Sequence, residues 1–183
     1  ALFSGVLSSI PQDRSCFCYS CPCKRTQNLS GCLFENTRVG RYRTVSRILT
    51  TIALLGGALL PVFVDVSRSH LFNDLWDAHA RAHLVWMLAT YVLLFLLGMY
   101  YLWVKGNELF PALISLCILV GYQISGITMP LYGGVFLGEG GVEPMPLGVP
   151  INFWHFSSML IIQLIAFALI LKKQKSNAAD PDS

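Results

Sequence analysis

Charge is what this chain has least of. Lysine and arginine number 13 and aspartate and glutamate 10, so 13% of the 183 side chains are charged, against about 25% in an ordinary soluble domain. Hydrophobic residues reach 54% and the mean hydropathy is +0.57, which excludes a water-exposed globular fold and points to a bilayer. Alternation of apolar and polar residues, the mark of a membrane β-barrel strand, is also missing, because the apolar runs are long and unbroken. The formal charge of +3 gives no support to nucleic-acid binding, since in a membrane chain the sign matters loop by loop.

Methionine is missing before Met87, and no small-x-small site follows the first apolar run, which disfavours a cleaved signal peptide. Val39 or Val45 is expected as an alternative start. Residues 1–38 hold five of the six cysteines, in "CFCYSCPCKRTQNLSGC" from Cys16 to Cys32. Cys16, Cys18, Cys21 and Cys23 could ligate zinc as thiolates, but C-x-C-x2-C-x-C crowds the ligands that structural zinc sites separate into two pairs. The segment is expected to be a poorly ordered or over-extended leader, followed by a membrane domain over 39–175 and a cytoplasmic tail over 176–183.

What the chain does have is four apolar runs, at roughly 48–66, 84–104, 109–131 and 151–171. Each is near the ~20 residues a helix needs to cross the hydrocarbon core. Unpaired backbone groups in lipid cost several kcal/mol, so each run is predicted to be helical. The expected fold is all-α, an integral membrane four-helix bundle. Arg38, Arg41, Arg43 and Arg47 precede the first run, Lys105 separates the second and third, and Lys172, Lys173 and Lys175 follow the fourth, whereas Arg68 and Arg81 lie in the opposite loops. This bias predicts that both termini face the cytoplasm, in an inner or plasma membrane, with Tyr100, Tyr101 and Trp103 in the inner aromatic belt.

Helices in lipid are held by close packing of small residues, and the spacings Ala53/Gly57 and Gly121/Ser125 are the expected contacts. Pro61 should bend the first run near its outer end; Pro111 fits the first turn of the third.

The polar residues sort into one half of the bilayer. Asp65, Thr90, Tyr122, Gln123, Ser125, Thr128, Asn152, His155, Ser157 and Ser158 fall in the outer half, Gln163 near the middle, and the inner stretch "LIAFALIL" has no polar side chain. Polar groups facing lipid are expensive, so the pattern predicts a cavity open to the outer side. Its expected lining is His70, Asp77, His79, His83, Tyr91, Gln123, His155 and Gln163, with Asp65 as a further carboxylate; the alternative is that these groups only bond one another.

Three of the four histidines stand in "HLFNDLWDAHARAH", residues 70–83. His79 and His83, one helical turn apart, form a half-site for one divalent transition metal, which Asp77, His70 or His155 could complete. A metal-free acid/base or ligand role stays open, as does a structural one. Asn73 or Asp74 suits a helix N-cap, Asp74 and Asp77 suit the dipole of a first turn, and Asp77 is spaced to pair with Arg81.

The order His70-Leu-Phe-Asn, Trp76, then His79-Ala-Arg-Ala-His83 resembles the HxFNPxWxxHARxH-like motif in the first outer loop of a family of small four-span membrane proteins of unknown function. Asp74 stands where that pattern often has proline. The resemblance implies a four-span fold and brings no activity. Sterol-isomerase-like proteins are similar in size, but here no glutamate lies within a run, Glu108 being at the inner edge of the third. The third loop, "YGGVFLGEGGVEPMPLGVP", carries Glu139 and Glu143 and reads either as a connector or as a lid.

The function expected is an outer pocket that binds a metal or a small apolar, lipid-like ligand. The other class is an accessory or assembly subunit whose polar face meets another membrane protein. Transport is disfavoured, because no inverted repeat is visible.

Overall fold

The computed structural model describes residues 29–135 and 144–179, with side chains over 40–135 and 144–176. Expectations for Cys16–Cys32, Glu139 and Glu143 lie outside the side chains so described. Residues 36–183 form one compact unit.

Helix α1, Leu29–Leu54, runs through a π-helical turn, Leu55–Leu59, into α2, Leu60–Asp65. Helix α3, Ala78–Met99, continues into a second π-helical turn, Tyr100–Val104; α4 is Leu109–Tyr132 and α5 is Ile151–Ala179. Four stretches are long and apolar enough to cross a membrane: Gly40–Asp65, Ala78–Val104, Leu109–Tyr132 and Ile151–Ser176. No strand occurs among the described residues. The chain is an all-α, multi-pass four-helix bundle, and its outward side chains are themselves apolar, Phe63, Trp86, Leu93 and Ile127 among them, as lipid contact requires.

Close packing follows the first expected pair and not the second. Ala53 is fully buried with Leu119 and Phe156, and a Cβ on Gly57 would meet Leu119 Cδ2 at 2.8 Å. Gly121, by contrast, is exposed, with no atom within 4 Å of its Cβ position, and Ser125 is exposed too. The buried stripe of α4 is Pro111, Ala112, Ser115, Ile118 and Leu119, a helical period that leaves Gly121 on another face. Pro111 stands in the first turn of α4, as expected.

The disturbance expected at Pro61 takes a specific form. Leu60 donates its N–H to Leu55 O, five residues back, where the π-helical turn gives way to α2. The carbonyl of Gly56 would look next to residue 61, and proline has no N–H to give. His155 supplies it from α5, with Nε2 2.9 Å from Gly56 O.

Helix α3 starts later than the sequence suggests. Asp77 is its N-cap, with extended backbone (φ −59°, ψ 138°) and Oδ1 accepting the His79 N–H at 2.8 Å. Asn73 instead pins the preceding loop, Oδ1 accepting from Leu75 N at 3.0 Å and Nδ2 donating to Ser69 O at 3.2 Å. Arg81 does not complete the expected pair with Asp77; its Nη2 donates to Trp76 O at 3.0 Å.

The other end of the bundle is joined by Glu108, which is 4% exposed. Its carboxylate accepts from Ser46 Oγ at 2.9 Å and from Lys173 Nζ at 2.8 Å, so the starts of the first and third spans and the end of the fourth meet there.

Candidate functional site

At the end opposite Glu108 the helices line a half-open cavity of about 440 Å³. Each span contributes a polar group: Asp65 from α2, Tyr91 from α3, Tyr122 from α4, and Asn152 and His155 from α5. Leu60, Val64, Leu84, Met87, Met129 and Phe156 make the remaining wall largely apolar. A concave, mostly apolar space with a few convergent polar groups is what a small-molecule site requires, and the volume lies in the usual range of about 300–1,000 Å³.

The loop after α2 delivers His70 to this space. Leu71 N–H returns to Asp65 O at 3.1 Å and Phe72 N–H to Ser67 O at 2.9 Å, a local fold-back that brings His70 Nε2 within 3.9 Å of Asp65 Oδ1. The His70 ring meets Trp76 edge to face, with centroids 5.8 Å apart, and its Nδ1 is 3.0 Å from Ser69 Oγ. Asp65 and His70 are 20% and 27% exposed, a half-buried pair in the cavity wall. Across the space, Tyr122 and Phe156 stack with centroids 3.7 Å apart and planes 11° from parallel, fixing α4 against α5 beside His155.

The bond from His155 to Gly56 O also settles its protonation pattern. A carbonyl can only accept, so Nε2 carries hydrogen and, in the neutral ring, Nδ1 keeps the lone pair. One imidazole is thus both a structural donor to a proline-interrupted helix and part of the cavity wall.

Of the eight lining residues expected from sequence, the structure brings His70, Tyr91 and His155 to the cavity, with Asp65 beside them. The other five are elsewhere. Asp77 is occupied in capping α3. His79 and His83 do share a face, Nε2 to Nε2 at 2.9 Å and rings edge to face with centroids 4.5 Å apart, but both are exposed. The cavity-lining positions of α3 are Leu84, Met87 and Tyr91; the histidine pair stands on the same i, i+4 row as Met87 and Tyr91, at the exposed start of the helix beyond the cavity. Gln123 Nε2 reaches Ser157 Oγ at 3.4 Å, linking α4 to α5, and Gln163 is fully buried in the bundle with no hydrogen-bond partner for either amide atom.

The metal set His79, His83, His155 and Asp77 is therefore not assembled. No group of three or more histidine, cysteine, aspartate or glutamate side chains that could hold a metal ion occurs among the described residues. Two features were missed altogether by reading the chain: the carbonyl of Gly56 as a hydrogen-bonding group, signalled by proline five residues on, and the role of Glu108, signalled by a lone acid among arginines and lysines.

No protein-family model matches the chain, and neither a curated protein nor a solved structure does.

Proposed function

We propose that this membrane protein binds a small, largely apolar ligand in the cavity between its four spans, holding a polar head group with Asp65, His70, Tyr91 and His155. The observation that carries this reading is the convergence of those four side chains, from separate segments, on one apolar-walled space of about 440 Å³. Asp65 and His70 offer a carboxylate and an imidazole 3.9 Å apart, and the His155 lone pair is an acceptor. The apolar wall suits an acyl or isoprenoid-like tail.

Arg43, Arg47, Lys105, Lys172, Lys173 and Lys175 lie at the Glu108 end or in the segments that adjoin it. The positive-inside bias then turns the cavity away from the cytoplasm. A second reading, an accessory subunit, draws on the exposed start of α3, where His79, His83 and the 69%-exposed Trp86 lie together.

The test is solvent extraction of detergent-purified protein followed by mass spectrometry of the extract. A small amphipathic molecule in near-stoichiometric amount is expected with the native chain and with His79→Ala/His83→Ala. It should be lost from Asp65→Asn/His70→Gln and from Met87→Trp, which fills the space. Equal recovery from all four proteins, or none from the native chain, contradicts the proposal.

A further inference from the structure

The Glu108 end carries more positive charge than it balances. Glu108 faces Lys173 Nζ at 2.8 Å, Arg43 Nε at 3.5 Å and Arg47 Nε at 3.7 Å. Asp65, Asp74 and Asp77 belong to the cavity end, so among the described side chains Glu108 faces these cations alone. Three cations against one carboxylate leave an excess of two charges.

Those charges are held together and do not splay apart. Gly106, in the turn between the second and third spans, has φ +70°, and a Cβ built there would meet Nη2 of both Arg43 and Arg47 at 3.2 Å. Both guanidinium groups thus lie over one backbone position that only glycine leaves open. Arg47 is fixed further by the Trp103 ring, 5.7 Å from its Cζ, and Trp103 is itself tied by Nε1 to Thr51 Oγ1 at 3.1 Å. Like charges this close repel, and a shared anion relieves the repulsion.

We propose that Arg43 and Arg47, over Gly106, bind one phosphate group, supplied by the head group of an anionic phospholipid. Two planar guanidinium forks match phosphate oxygens in a way that a single ammonium does not. The source is lipid because the site lies at the end of the spans. Exposed apolar side chains flank it, Ile48 at 47% and Val104 at 70%, where acyl chains would lie. Basic pockets between helices at this depth are suited to anionic head groups.

The experiment measures the thermal midpoint of protein in neutral detergent with added phosphatidylglycerol, phosphatidylcholine or inorganic phosphate, and counts retained lipid by native mass spectrometry. Phosphatidylglycerol should raise the midpoint of the native chain, with one lipid retained, and phosphatidylcholine should not. Arg43→Gln, at a side chain 45% exposed and therefore tolerant of replacement, should at least halve the shift, as should Gly106→Ala. Lys175→Gln, outside the site, should keep it. An equal shift in Arg43→Gln, a matching loss in Lys175→Gln, or an equal response to phosphatidylcholine overturns the site; a full response to inorganic phosphate overturns the lipid as its source.

Discussion

His155 shows how a single side chain can join fold and site. Pro61 takes away the N–H that the Gly56 carbonyl would use, and His155 replaces it across 99 residues of sequence. Leaving that part-buried carbonyl without a partner costs up to about 1–3 kcal/mol. His155→Phe should therefore lower unfolding stability by that amount, and should cost distinctly less in a Pro61→Ala background, where residue 61 again offers an N–H. Thermal unfolding of the four proteins in a double-mutant cycle measures the coupling; strict additivity would show that the bond carries no weight. Proline's disturbance of the helix was legible in the sequence, because it is local. Its partner was not, since no periodicity connects position 56 to position 155. The histidine pair is the opposite case: the spacing of His79 and His83 gave a common face, which Met87 and Tyr91 continue into the cavity, but spacing cannot say how far along the helix the cavity reaches.

Elements were read well where the bilayer dictates them. The third run, expected at 109–131, is Leu109–Tyr132, and the fourth, expected at 151–171, is Ile151–Ser176, because hydrocarbon thickness and backbone satisfaction leave little freedom. Helix ends in polar surroundings were read less well: Asp77 displaced Asn73 and Asp74 as the cap of α3, as three acceptable capping residues within five positions allow. Small-residue spacing likewise needed the neighbours to decide it. Gly57 and Gly121 look alike in sequence, yet only Gly57 is pressed against another helix. Gly57→Ala should destabilise by about 1–3 kcal/mol through overpacking against Leu119. Gly121→Ala should be neutral or stabilise by up to about 1 kcal/mol, since alanine is the better helix former and meets nothing there. Thermal midpoints in one detergent suffice to compare them, and equal effects at both sites would contradict the packing described.

At the scale of the molecule, the two ends of the bundle do different work. One end closes around Glu108 with basic side chains from the first and fourth spans; the other opens into an apolar space with polar groups at its wall. The sequence predicts a polar cavity toward one end of the spans, and a cavity with polar groups in its wall lies at the end opposite Glu108, although Ser46, Thr51 and Glu108 make hydrogen bonds at the other end. Which of the polar residues line the cavity depends on the rotation of each helix about its axis, and packing sets that rotation. The most direct test of a ligand-binding cavity is an experimental structure of the protein in lipid nanodiscs, at a resolution that shows side chains. Elongated non-protein density should run from Asp65, His70, Tyr91 and His155 along Met87 and Met129. A space filled by protein side chains, or ordered density confined to the exposed pair His79 and His83, would contradict it.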